Sequence, residues 1–186
     1  MKIIAIVGSP RPKGNTNYLI DRALEAAAEL GAQVKKIDLS KYKINPCLGH
    51  DDCSSFESCV QKDDAVWILD ELLNADGVIL ATPVYFFNVS AQMKTFIDRN
   101  YFPYRHKLQY KAKTVGLIVV AATEGIDDTL HTLNQFVDLR FDIKSGMRFI
   151  VSGYADKVGD VRNNLTLIQE AKELGSNMAE SIKEDA

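Results

Sequence analysis

The strongest constraint on this chain is an alternation. Short apolar runs bounded by turn residues take turns with longer segments of 3.6-residue period, the pattern of βαβ units around a parallel sheet. The runs that read as strands are Ile3 to Val7, Gln33 to Ile37, Gly77 to Ala81, Thr114 to Val120 and Gly146 to Val151. Helices are expected over Thr16 to Leu30, with Leu19, Ala23 and Ala27 on one face before a Gly31 stop, and over Asp63 to Asn74, with Val66, Ile68, Leu69, Leu72 and Leu73. Three more follow at Ser90 to Arg99, Asp127 to Leu139 and Gly159 to Ile182.

Five strands joined by right-handed crossovers predict an α/β, flavodoxin-like three-layer sandwich with a five-stranded parallel sheet of order 2-1-3-4-5, or a half-Rossmann variant. In either, ligands sit beyond the carboxyl ends of strands 1, 3 and 4. With no repeat and no low-complexity linker, one domain spanning residues 1–186 is expected, with a cysteine-containing insert at about 41–62.

Composition excludes several classes. The 46% of apolar side chains supports a core, and no apolar run approaches the roughly 18 to 20 residues of a membrane span. The start MKIIAIVGSPR reads as a strand and turn rather than a secretory signal, so a cytoplasmic setting is expected. A net charge of −3 argues against a nucleic-acid surface.

The loop after strand 1 reads G8-SPRPKGNTN. It is not a Walker loop, because Gly8 and Gly14 bracket five residues and Asn15 stands where the lysine belongs; G-x-G-x-x-G is absent too. A cradle for one phosphate monoester remains: Ser9, Thr16 and Asn17 as neutral donors and Arg11 as a charged fork, all near a helix N-terminus. One phosphate fits FMN. A polar strand-to-helix turn in which Ser9 or Asn15 caps the helix explains some of these residues. It leaves unexplained an arginine between two prolines.

Strand 3 runs into T82-PVYFFNVSAQMKTFIDR. Pro83 is expected to end the strand and expose backbone N–H groups to the pyrimidine carbonyls of a flavin, with Tyr85 or Phe86 as a flat wall and Ser90 as the next helix cap. Phe87 reads better as a core or subunit-interface residue. After strand 4, Thr123, Glu124 and Gly125 could flank the ring, glycine admitting its close approach, although Glu124 reads equally as a solvated acid or a dipole partner of the next helix.

Together, G-S-P-R-x-x-G-N-T and T-P-V-Y-F-x-N-x-S-A-x-M-K-x-F-I-D-R resemble the flavodoxin-like NADPH-dependent FMN reductase superfamily over about residues 3–155. The cysteine segment sharpens the resemblance to the iron-sulfur flavoprotein group. The resemblance implies FMN phosphate on Ser9, Arg11, Asn15, Thr16 and Asn17, and the ring against Pro83, Val84, Tyr85, Phe86, Asn88 and Thr123 to Gly125. It also implies a homodimer or homotetramer with FMN near a subunit boundary.

All three cysteines lie in C47-LGH-DD-C53-SSFES-C59. Iron-sulfur flavoproteins resemble this segment through four cysteines that hold a [4Fe-4S] cluster. Here the second position is His50, and neutral imidazole in place of a thiolate would raise the potential. A cluster on Cys47, His50, Cys53 and Cys59, a redox-silent zinc site on the same residues, and free thiols all remain open. Asp51, Asp52, Asp63 and Asp64 read as solvated charge and a helix cap, and His106 and His131 as surface or structural residues.

The function expected is FMN-dependent electron transfer from NAD(P)H or a ferredoxin-type donor to a small acceptor such as a quinone or dioxygen. The chemistry belongs to the cofactor, so no catalytic side chain is expected. A non-enzymatic flavodoxin-like carrier or redox sensor is the competing class.

Overall fold

The computed structural model describes residues 1–143 and 147–185. Five strands run parallel: β1 (Lys2–Val7), β2 (Gln33–Asp38), β3 (Gly77–Tyr85), β5 (Thr114–Ala121) and β6 (Arg148–Tyr154). Between β3 and β5 the two-residue β4 (Asn88–Val89) pairs back antiparallel onto the end of β3. The order is β2-β1-β3-β5-β6, which is the 2-1-3-4-5 order expected of the five long strands. Gly146, the predicted start of the last strand, lies outside the described residues.

The helices are α1 (Asn15–Glu29), α2 (Ala65–Leu73), α3 (Ala91–Arg99), α4 (Tyr101–Arg105), α5 (Ile126–Arg140) and α6 (Leu165–Glu184). Strand alternation sorts the core into two halves, because successive side chains of a strand point to opposite faces. Ile3, Ala5 and Val7 of β1 face α1 and α6 through Leu19, Ile20, Ala23 and Leu174. Ile4 and Ile6 face α2, α3 and α5 through Ile68, Leu72, Phe96 and Leu133. At one point α1 and α6 touch backbone to backbone: a Cβ on Gly175 would lie 1.9 Å from the Ala23 carbonyl oxygen.

Two expectations are corrected here. Pro83 does not end strand 3, which continues to Tyr85 with Pro83 opposite Val120. β1 stops opposite Ala81, so β3 is already an edge on that side, where a residue without an N–H is tolerated. The last helix does not start at Gly159. That glycine, at φ +94°, opens a 3₁₀ turn (Asp160–Asn163), and α6 begins only at Leu165, where the Asn164 carboxamide oxygen accepts the Leu167 N–H at 3.0 Å.

Candidate active site

The carboxyl ends of β1, β3 and β5 open onto a cavity of about 190 Å³ lined by Ser9, Arg11, Thr16, Pro83, Val120 and Ala155, among others. Its polar end is made by the start of α1. The N-cap is Gly14, which offers no side-chain acceptor, and the first helical turn holds no acid. The first intrahelical bond is from Tyr18 N–H to the Gly14 carbonyl, so the N–H groups of Asn15, Thr16 and Asn17 have no helical acceptor. Uncapped amides carrying the positive end of the helix dipole are the donors an anion could use.

The loop feeding this helix is stiffened from within. Ser9 Oγ accepts the Arg11 N–H at 3.2 Å, and Asn17 Nδ2 donates to the Arg11 carbonyl at 3.0 Å. The Arg11 side chain is exposed at the rim and has no ion-pair partner among the described residues. The buried Asn17 Oδ1 has no hydrogen-bond partner among the described residues. Asn15 lines the cavity, but its amide serves the opposite wall. Nδ2 donates to the carbonyls of Ala155 (3.3 Å) and Lys157 (2.9 Å), and Oδ1 accepts the N–H groups of Gly159 (2.9 Å) and Val161 (3.4 Å).

The second wall is Pro83, Val84 and Tyr85. Beyond Tyr85 the chain reverses over Phe86 and Phe87, both in the left-handed region at φ 48° and 61°, with Val84 opposite Val89 and Tyr85 opposite Asn88. This is the backbone of a two-residue type I′ hairpin, a turn that favours Asn-Gly. Phe86 is fully exposed and Phe87 is 53% exposed, so Phe87 is not a core residue of the single chain. Asn88 Oδ1 accepts the N–H of its neighbour Val89 at 2.8 Å. Neither Phe86 nor Asn88 lines the cavity.

Thr123 and Glu124 are exposed and outside the cavity, while Ala122 lines it. Gly125, at φ +87°, sits beneath the hairpin: a Cβ there would come within 2.9 Å of Phe87 Cα and Val84 Cγ1. Sequence reasoning missed the wall formed by Ala155, Asp156 and Val158. A polar Asn15 beside an uncapped helix start was its only signal, and that residue's partners lie about 140 residues away.

Helix α3 starts beside this cavity. Ser90 Oγ accepts the Met93 N–H at 3.2 Å, as a helix cap should, and also donates to the Gly8 carbonyl at 2.5 Å. The other end of α3 meets the cysteine segment, which leaves and rejoins the body through a closed neck. Asp64 Oδ2 accepts the Lys43 N–H, Asp63 Oδ2 the Asn45 N–H, and the Pro46 carbonyl accepts from Gln61 Nε2, each at 2.8 Å. Asp63 is therefore not the solvated acid expected; its side chain is 3% exposed and meets Arg99 Nη1, on a side chain 1% exposed, at 2.6 Å. Below the loop, Arg105 donates to the Asp51 carbonyl at 2.9 Å, and His106 Nε2 lies 3.1 Å from the Cys53 carbonyl.

Burial pushes the Cys53 thiol up, and its neighbours Cys59 and Cys47 push it further. The His50 ring packs edge-on against Phe56, with centroids 5.9 Å apart. Among the described residues, no three of His, Cys, Asp and Glu are placed to hold a single metal ion. Three cysteines and one histidine on this loop are donor types that both iron–sulfur clusters and zinc take.

Residues 1–155 match the family described as NADPH-dependent FMN reductase. The chain belongs to that family. Membership makes it an FMN-dependent oxidoreductase. It is 36% identical over 190 residues to an iron-sulfur flavoprotein of Methanocaldococcus jannaschii, covering 98% of each chain. An iron-sulfur flavoprotein of Archaeoglobus fulgidus is 37% identical over 184 residues, 98% of this chain and 81% of that one. An NAD(P)H:quinone oxidoreductase from Methanothermobacter marburgensis superposes with a TM-score of 0.73 at 14% identity over 96% of each chain, a likeness of fold. No described helix is long and apolar enough to cross a membrane.

Proposed function

We propose that this member holds FMN by its phosphate at the start of α1 and moves electrons from NAD(P)H or a ferredoxin-type donor to a small acceptor such as a quinone or dioxygen. The observation that carries the reading is the uncapped first turn of α1 at the carboxyl edge of the sheet, with Ser9, Thr16 and the free Arg11 around it. Bound there, FMN supplies both two-electron and one-electron chemistry. The chain's own residues orient it. Ser9, Thr16 and the amides of α1 neutralise the phosphate, and Arg11 closes over it with a charged fork. Backbone at Pro83 to Tyr85 lies at the ring end, while Val120, Ala122 and Ala155 keep the wall apolar. Titratable lining is limited to Arg11, Tyr85 and Asp156, which accords with chemistry residing in the cofactor.

The cavity falls short of the roughly 300–1,000 Å³ of a complete small-molecule site. One chain thus cradles one end of the ligand, and a second copy, meeting the exposed Tyr85, Phe86 and Phe87, completes it in a homodimer or homotetramer. Cys47, Cys53 and Cys59 would hold a [4Fe-4S] cluster at three positions, with His50 as the candidate for the fourth. A cytoplasmic setting would keep these thiols reduced and available to iron.

Fluorescence titration with FMN, then steady-state oxidation of NADPH with a quinone acceptor, tests this reading. Tight binding with continuous turnover supports it. Binding with a single stoichiometric reduction would make the protein a carrier, and no binding would refute the site.

A further inference from the structure

We infer that Arg99 is a positioning residue for the cysteine segment: it locks the neck of the loop and aims a charged donor at the sulfur of Cys59. This rests on the reading that the segment takes iron. The guanidinium is buried at the carboxyl end of α3 and spends its donors on four partners from the two sides of the neck. Nη1 donates to the Asn45 carbonyl (3.0 Å) and to Asp63 Oδ2 (2.6 Å); Nη2 donates to Cys59 Sγ (3.3 Å) and to the Gln61 carbonyl (3.4 Å).

A buried cation of this kind is tolerated only with its counter-charge in place. Burial disfavours the charged form of Arg99, yet the bonds to Asp63 and Cys59 outweigh that and hold it protonated. Asp63 is itself oriented by the N–H groups of Asn45 and Ala65, at 2.8 and 3.2 Å. The array runs from backbone to carboxylate to guanidinium to sulfur, the arrangement by which outer partners fix a metal ligand and tune its centre. Only a planar five-donor fork can serve all four acceptors; a lysine ammonium has three donors radiating from one point.

Cys59 also lines a largely apolar cavity of about 180 Å³ with Leu69, Leu73, Phe102, Pro103 and Leu108. Glu57, Ser58 and Asp70 also line that cavity, and among the described residues the hydrogen bond to the sulfur comes from Arg99. Hydrogen bonds to cluster sulfurs raise the reduction potential, and a charged donor does so more strongly than a neutral one.

Arg99→Lys and Asp63→Asn, compared with wild type after anaerobic reconstitution with iron and sulfide, test the inference. Arg99→Lys is expected to stay folded and to bind FMN within threefold of wild type. It should retain less than half of the wild-type iron and sulfide, and at one fixed potential the ratio of reduced to oxidised cluster should fall at least threefold. Asp63→Asn, which keeps the arginine but frees it, should move both readouts in the same direction and less far. Wild-type iron content and an unchanged ratio in Arg99→Lys would overturn the inference. Should wild type itself take up no iron, the cluster reading fails, and the positioning role is decided on the metal-free protein. There, iodoacetamide should label Cys59 at least fivefold faster in Arg99→Lys than in wild type; equal or slower labelling overturns it. If Arg99→Lys does not fold, Asp63→Asn decides by the same criteria.

Discussion

The side-chain amide of Asn15 accepts the N–H of Gly159 at 2.9 Å, joining the first turn of α1 to the far wall of the cavity across 144 residues. The same amide donates to Ala155 and Lys157 on that wall. Asn15→Leu removes both functions while keeping the size. It is expected to weaken FMN binding at least tenfold, and to lower stability by about 2 kcal/mol because buried backbone groups lose their partners. Fluorescence titration and urea unfolding read the two effects.

The hairpin at Phe86 and Phe87 holds two bulky residues at positive φ, a conformation that costs of order 1–3 kcal/mol per residue. Replacing the pair by Asn-Gly fits the turn. The double variant Phe86→Asn/Phe87→Gly should gain about 1–2 kcal/mol in monomer stability and lose self-association, because a fully exposed phenyl ring is removed. Thermal melts and light scattering, which should shift toward the monomer, check both.

Gly175 is where α6 meets the backbone of α1. Gly175→Ala would put a methyl 1.9 Å from the Ala23 carbonyl oxygen, and backbone cannot yield as a side chain can. The expected loss is about 3 kcal/mol or more, a fall in Tm of roughly 6–12 °C for a chain of this length. The helix itself gains from alanine. A neutral or stabilised variant would mean that the two helices sit further apart.

The Asp63 carboxyl shows a pH signature. Burial alone would raise its pKa, but the Arg99 guanidinium and the N–H groups of Asn45 and Ala65 outweigh it and hold the carboxyl below its ordinary value. A group depressed in the folded state stabilises fully above its unfolded pKa, and that contribution is lost as pH falls through the folded value. Wild-type urea midpoints should therefore be flat above about pH 4–5 and fall below it. Asp63→Asn should be weaker at neutral pH by about 3 kcal/mol, with a shallower acid slope.

What the sequence made legible was local. Ile3 to Val7 followed by a glycine-rich turn announces a first strand and a ligand loop, and Ser90 three residues before Met93 announces its cap; both descend from neighbours within a few positions. Asp63 was misread because a carboxylate carries no mark of burial, and its partner is 36 residues on. Pro83 was misread because a proline breaks a strand only where both sides are paired, and the end of β1 opposite Ala81 is a matter of register. Helix α4 was unforeseen because Pro103 looks like a breaker, yet it occupies the first turn, where no N–H is needed. The Ala155 to Val158 wall was invisible for the same reason as Asp63: its link to Asn15 is purely tertiary.

Helix α3 touches the loop after β1 through the Ser90 hydroxyl at its entry and the sulfur-bearing segment through the Arg99 guanidinium at its exit. Nine residues of α-helix measure about 13 Å. The helix is thus a ruler laid between the cavity at the carboxyl edge of the sheet and the cysteine loop: their spacing is set by a count of peptide units rather than by loop motion. An insertion of one residue in α3 would rotate the exit end by about 100° and uncouple the sulfur segment while leaving the first turn of α1 whole.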